Sequence, residues 1–450
     1  MRENVIRLAL AALAALALTA CSAGGEAPSP DKAVLIYASF TPGGADQSAV
    51  ERFNRTHSDV KIEIRDYWGA DIEEARQGKE RLLTEIAGGH MPDIIDLGLN
   101  SSVVGMLPYR KMAQKGYLED LWSYIESDPE LGREAVMEAP LRSAEVNGGL
   151  YMVFDSVGIS TLAGAESQVG NRYSWSLAEL RDAFVSMPEG STVLEYSYTR
   201  SAMLYYMLCM SLDSYVDWET GQCFFDCENF RMALEFVRSF PETEDSGDSG
   251  GVSREIARRR EEGLQMLSRT SLSNLYDIQI CDYMFDGRAS FVGYPVEDGS
   301  TGSAFTLPPT KLAMSSVCQN KEAAWDFMRE ILLSQYSDRQ VADTPYFTFH
   351  IPVNRADYDR VIRLFRSGNF NVCHTFHPDD PPVSLHTPTK EEALRFEDFI
   401  GRVEKADLYD NDLYNIVEQT AGPYFAGDKT LDETVDLIQN RVQLYVNENR

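Results

Sequence analysis

Side chains able to make or break bonds are scarce and scattered in this chain. Cys373, His374 and His377 form a Cys-His-x-x-His group that invites a zinc reading. It lies in a Pro-rich stretch with no second matching cluster, so no metal site is assigned. Acidic pairs such as Glu73-Glu74 mark a solvated helix face in so acidic a chain. The sequence shows no nucleophile elbow, P-loop or HExxH helix. No catalytic residue is assigned, the chain reads as a non-enzyme, and no cofactor is expected. What stands out instead are rings and hydrogen-bonding groups just past apolar runs. Ser39 and Phe40 follow the first run, and Tyr67 and Trp68 follow VKIEIRD. Asn100 follows PDIIDLG, Asp155 follows LYMVF, and Tyr294 follows RASFV. Such residues suit stacking and hydrogen bonding to a small polar molecule.

The elements that must position them alternate regularly. AVLIYAS (33–39) is a continuous apolar run, as for a strand buried on both faces. Ala49, Val50 and Phe53 recur at helical spacing, and Val60, Ile62 and Ile64 alternate as a strand. Leu82, Leu83 and Ile86 make the next helical stripe before Gly88-Gly89, and Pro92–Leu97 is another buried strand. This β-α-β-α-β order predicts a mostly parallel, helix-covered sheet. A second unit begins near Gly149 with GLYMVFDSVGIS. Helices are predicted over Ser176–Phe184, Ala202–Met210, Glu322–Leu333 and Leu431–Asn447, and a returning strand at RASFVGY. Pro241–Gly251 reads as a solvated loop, and His377–Lys390 as turns. Trp122, Trp175 and Trp325 fall in helical patterns as packing residues, while Trp218 in VDWETG reads as a surface turn. Tyr196 and Tyr198 belong to an aromatic run suited to either cleft or core.

Composition narrows the class. The chain has 450 residues, enough for two or three domains, and 44% hydrophobic residues exclude global disorder. A formal charge of −29 excludes binding to nucleic acid or anionic lipid by a basic surface. Arg2 and Arg7 frame an n-region before the apolar run Leu8–Leu18. That run, with Thr19 and Ala20, spans about 20 Å as a helix, short of the roughly 30 Å hydrocarbon core. A signal peptide (1–20) fits it better than a spanning anchor. Leu18-Thr19-Ala20-Cys21 matches a bacterial lipobox, whose cysteine carries lipid, palmitate included, and 21–32 reads as the flexible tether behind it. The expected location is the extracytoplasmic face of the cell membrane, held by the lipid. Six further cysteines are too few for a disulfide scaffold; Cys223 and Cys227 are open to pairing or to burial as thiols.

The ordered set of segments resembles the family 1 extracellular solute-binding proteins. AVLIYASF with VERFNRTHSDVKIEIRDY comes first, then LLTEIAGGHMPDIIDLG, NGGLYMVFDSVGISTL with YSWSLAELRDAF, and GRASFVGYP with KEAAWDFMREILLS and HIPVNRADY. The resemblance implies an α/β, two-lobed periplasmic-binding-protein-like fold of type II. Each lobe would be a helix-covered, mostly parallel sheet, with hinge strands between. Its division is expected at 33–148 with 299–345 for one lobe, and 149–298 with 346–450 for the other. It further implies a monomer that takes a carbohydrate between its lobes and delivers it to the permease of an ABC importer. The seven residues Ser39, Phe40, Tyr67, Trp68, Asn100, Asp155 and Tyr294 are then the expected ligand contacts. A non-sugar solute, a ligand-presenting sensor subunit and a lipid-anchored glycoside hydrolase are the competing readings.

Overall fold

The computed structural model describes residues 32–41, 47–98, 104–195, 198–242, 249–285, 287–333, 350–368, 372–376, 381–408 and 410–449. Cys21 and the segment before it therefore lie outside the described residues, and no helix among those described is long and apolar enough to cross a membrane.

The first unit follows the predicted alternation. Strand β1 (Ala33–Ser39) leads into helix α1 (Gln47–Thr56), which buries Val50 and Phe53. Strand β2 (Val60–Asp66) then pairs with β1 in parallel, from Ala33 opposite Val60 to Ser39 opposite Asp66. Helix α2 (Ile72–Ala87) starts at Asp71, whose carboxylate accepts from the Glu73 and Glu74 amides. Those two acids also complement the helix dipole. Gly78 is required where α2 crosses the end of β2, since a Cβ there would lie 1.9 Å from the Tyr67 carbonyl oxygen. Strand β3 (Ile94–Asp96) pairs in parallel on the other edge of β1, and a short helix α3 (Tyr109–Gln114) follows.

Strand β4 (Ser156–Ala165) opens the second unit and is almost wholly buried. Helices α4 (Arg200–Tyr215), α5 (Glu228–Arg238) and α6 (Ser249–Glu261) come next. They precede β5 (Leu267–Leu272), α7 (Tyr276–Met284), β6 (Ala289–Phe291) and β7 (Ala304–Thr306). The chain then returns to the first sheet as β8 (Leu312–Met314), antiparallel to β3, and packs α8 (Lys321–Met328) there. It crosses once more as β9 (Ile351–Pro352). Helix α9 (Arg355–Ser367), α10 (Lys390–Arg402), β10 (Lys405–Ala406), α11 (Asn411–Ala426) and α12 (Leu431–Asn449) complete the second unit.

The first sheet has the expected parallel strands with β8 as an antiparallel edge. The second differs from the mostly parallel sheet foreseen. Strands β5, β6, β7 and β9 all run antiparallel to β4, and β10 is parallel to β7. Strand β4 is long enough that its two edges take several short returning strands in succession. The return crossing also falls later than residue 299, because β7 still pairs with β4 and only β8 reaches β3.

Apolar packing ties the layers together. One core fills the first lobe and continues under one face of the second sheet, through Val157, Ile159, Phe291 and Phe305. The opposite face, with Leu162, Leu267, Val292 and Ala304, packs against α4, α5, α11 and α12. Between the lobes the crossings lie side by side. Val153 and Leu312 exchange amide–carbonyl bonds of 2.9 and 3.0 Å, and the Val353 amide donates to the Asp155 carbonyl at 2.8 Å.

The six cysteines among the described residues are free thiols, Cys223 and Cys227 included. Burial pushes the thiols of Cys281 and Cys318 up to about 12, and that of Cys223 to about 11. Among the described residues only Cys373 is exposed. Mass spectrometry after brief maleimide treatment at neutral pH should therefore find Cys373 labelled in the folded protein and Cys223, Cys281 and Cys318 labelled only after denaturation.

Candidate functional site

The rim of the first lobe is organised by one buried carboxyl group. Asp96, 1% exposed, ends β3. Its Oδ2 accepts from the Phe40 amide (3.4 Å) and the Thr41 hydroxyl (3.2 Å), and its Oδ1 from the amides of Gly98 (3.0 Å) and Lys311 (3.4 Å). One side chain thus joins the carboxyl ends of β1 and β3 to the crossing before β8. Burial raises its pKa, opposed by the Gly98 amide and the charge of Lys311. Lys311 is itself fully buried, donating through Nζ to the carbonyls of Pro308 (2.8 Å) and Pro309 (3.1 Å), and burial lowers its pKa to about 8.

Several residues expected at the ligand are used by this rim instead. The Ser39 hydroxyl accepts from the Thr41 amide. Phe40 and Tyr67 are 3% and 1% exposed and stack on each other at 5.8 Å, with the Arg81 guanidinium over the Tyr67 ring and the Tyr67 hydroxyl on Glu85 (2.5 Å). Phe40 and Tyr67, from two different strand ends, are thus turned toward each other. Trp68 is half-buried beyond them, its amide donating to Asp66. Asp155 is half-buried on a crossing and accepts from the Ser156 hydroxyl at 2.8 Å. Asn100 lies outside the described residues, as do Tyr196 and His377. Among the described residues no group of metal-ligating side chains comes together.

Tyr294, fully buried, leads to what the linear reading missed. Its approach to Gly302 is so close that a Cβ on Gly302 would meet the Tyr294 carbonyl at 1.6 Å. Held there, its ring stacks on Tyr206 (4.9 Å, 8°), and its hydroxyl lies 2.9 Å from that of Tyr198. Tyr205 stands edge-on to both Tyr206 (4.9 Å) and Tyr414 (5.8 Å) and donates to Asp407 at 3.2 Å. Arg269 donates to the Tyr206 hydroxyl at 2.6 Å, while its backbone amide and the Ser268 hydroxyl donate to Glu195. Burial raises the Tyr206 pKa, with Arg269 pulling the other way. Tyr205, Tyr206 and Tyr414 remain half-buried.

The segment after β10 links this cluster to a cavity between the lobes. The cavity measures about 140 Å³. The first lobe supplies Lys79, Met106 and Tyr109 to it, and the second supplies Trp218, Asp410 and Tyr445. Lys79 donates to the carbonyls of Val104 (3.1 Å) and Gly105 (3.4 Å); burial lowers its pKa, while Asp412 and Asp410 across the gap raise it. Asp410 is anchored by the Leu413 amide and the Tyr445 hydroxyl, each at 3.0 Å. Trp218, read as a surface turn, instead brings to the cavity wall an indole N–H that is buried with no partner among the described residues. Only the oddity of a Trp beside a Gly turn signalled it in the sequence. Asp407, Asp410 and Asp412 carried no signal beyond a helix N-terminus.

Comparison with known proteins agrees with this architecture. No protein-family model matches the chain, and no curated relative matches it in sequence. Solved structures do match over nearly its whole length. The sugar-binding protein MalE of Xanthomonas citri superposes with a TM-score of 0.55 at 14% identity, covering 92% of this chain and 98% of that one. The fold is that of the family 1 extracellular solute-binding proteins. A member of that family from Alicyclobacillus acidocaldarius gives 0.50 at 12% identity, with 92% and 98% coverage. A putative oligosaccharide periplasmic-binding protein from Synechococcus sp. MITs9220 gives 0.50 at 13%, with 92% and 99% coverage.

The Asp96–Lys311 contact yields a pH test. A buried lysine titrating near 8, against roughly 10.4 in the unfolded chain, binds fewer protons when folded across that interval. Its contribution to stability must therefore rise with pH between those values. Relative to Lys311→Met, the native chain should gain about 2 kcal/mol in urea unfolding between pH 7.5 and pH 10. A difference that stays flat would show that Lys311 keeps its ordinary pKa.

Proposed function

We propose that this protein captures a carbohydrate between its two lobes and passes it to the permease of an ABC importer, releasing it unchanged. The observation that carries the reading is the interlobe cavity, to which Trp218 and Tyr445 bring rings and Asp410 and Asp412 bring acids, with the half-buried tyrosine cluster bordered by Arg269 and Asp407 joined to it along the chain that follows β10. Sugars offer apolar C–H faces and polar edges, so a saccharide site needs rings beside fixed donors and acceptors. Tyr205, Tyr206, Tyr414 and Trp218 supply the rings, and Arg269, Asp407 and the free indole N–H supply the polar groups. The names of the fold's neighbours from Xanthomonas citri and Synechococcus, one sugar-binding and one putatively oligosaccharide-binding, support the same class.

Capture between lobes works by hinge closure. The side-by-side crossings near Val153, Leu312 and Val353 form a narrow connection about which the lobes can rotate. Lys79 and the acids at 410 and 412 face each other across the gap and favour the closed state, in which the ligand is shielded from water. The lipobox at Cys21 supports tethering of the mature chain to the outer face of the membrane, where a permease would meet it.

Calorimetry of the detergent-solubilised chain against mono- and oligosaccharides should give a saturable heat. Tyr206→Ala should weaken it about tenfold or more, since one aromatic platform accounts for on the order of 1 kcal/mol beyond its buried area. Silence against every saccharide, with heat from a peptide or polyamine, would replace the carbohydrate assignment. Hydrolysis of the sugar during titration would instead indicate an enzyme.

A further inference from the structure

The second lobe carries another cavity, walled by elements that take no part in the interlobe gap. It measures about 830 Å³, within the roughly 300–1,000 Å³ usual for small-molecule sites. Its walls are the end of α6, residues 263–265 leading to β5, the helix α7, residues 383–386 and the first turn of α10.

Two polar groups in that wall lack complements. The side chain of Arg260, half-buried at the end of α6, makes no hydrogen bond or ion pair among the described residues. Burial lowers its pKa, and Glu195 and Glu261 counter this only as charges at a distance. Of the carboxylates lining the wall, Glu261 is exposed to solvent, while Asp282 and Glu392 are engaged. Asp282 is held by Arg395 at 2.8 and 3.0 Å, and Glu392 caps α10 through the Thr389 amide and pairs with His386 at 3.1 Å. Gln265 is 2% exposed. Its Nε2 donates to the Leu267 carbonyl at 2.9 Å, while its Oε1 is buried without a partner among the described residues. Gln279 spends its side chain on the backbone of His386, donating at 2.9 Å and accepting at 3.0 Å, and so fixes the wall. At the wall, Tyr283 is 56% exposed and stacks on Phe376.

The wall thus combines a guanidinium without an acceptor, a buried carbonyl oxygen without a donor, and an exposed ring. We propose that this cavity is a second small-molecule site that takes a hydroxylated carboxylate of the sugar-acid class, with Arg260 holding the carboxylate and Gln265 Oε1 accepting from a hydroxyl. The planar fork of arginine matches a carboxylate with two parallel charge-assisted bonds. A buried amide oxygen favours a ligand that brings an O–H, and the Tyr283 ring favours one with a C–H face. A neutral sugar leaves Arg260 without a countercharge, and a simple acid such as acetate leaves Gln265 without a donor.

The test is calorimetry of the detergent-solubilised full chain with D-galacturonate, D-glucuronate and D-gluconate, against D-galactose and acetate. At least one sugar acid should bind about tenfold or more tighter than galactose and acetate, and Arg260→Gln should weaken that binding by a similar factor with an unchanged melting temperature. Tyr206→Ala, in the interlobe cluster, should leave sugar-acid affinity unaltered. The proposal is overturned if no sugar acid binds, if galactose binds equally, or if Arg260→Gln binds as well as the native chain. It is equally overturned if Tyr206→Ala abolishes the binding, because the sugar acid would then occupy the gap between the lobes.

Discussion

The Asp96 carboxyl group is the constraint on which the arrangement of this molecule turns. Parallel strands end without covalent connection to one another, and their outgoing loops need something to hold them at a common height. Here a single buried side chain gathers amides and a hydroxyl from the ends of β1 and β3 and from the crossing that leads into β8. Removing water from such a group is costly, and the surrounding donors with the adjacent Lys311 offset that cost. The consequence is positional. The rim of the first lobe and the crossing into β8 share one anchor.

The second lobe answers with a different device. Its long central strand β4 collects short antiparallel neighbours and leaves one sheet face free to pack α4, α11 and α12. Those helices bring Tyr205, Tyr206, Tyr414 and Tyr445 toward the loop between β10 and α11. Aromatic side chains dominate because they can be fixed by one another and still leave edges and hydroxyls for a guest. The first lobe presents apolar side chains with basic ones, Lys79, Arg110 and Lys111 among them, and the second presents rings and acids. A polar solute with apolar faces is the kind of molecule that suits both.

Much of the fold was legible in the sequence because burial leaves a period. The runs AVLIYAS and PDIIDL and the alternation in VKIEIRD became β1, β3 and β2. The direction of pairing in the second sheet was not legible, since a buried strand reads the same whichever way its partners run. The site was harder. Phe40 and Tyr67 stand where a strand-end argument puts ligand contacts, yet nothing in their spacing reveals that they stack on each other. Tyr205 and Tyr206 are indistinguishable by sequence from ordinary core of an aromatic helix, and Trp218 from a turn. Tyr205 meets Asp407, and Trp218 meets the cavity, only through the segment before α11 and through α12, about two hundred residues away.

The central claim is that one solute is gripped from both lobes at once, and amide hydrogen exchange of the detergent-solubilised chain tests it most directly. With a saturating saccharide, slowed exchange is expected together in residues 104–111 of the first lobe and 407–414 of the second. Protection confined to one of these segments, or found elsewhere while heat of binding is still measured, would contradict capture between the lobes.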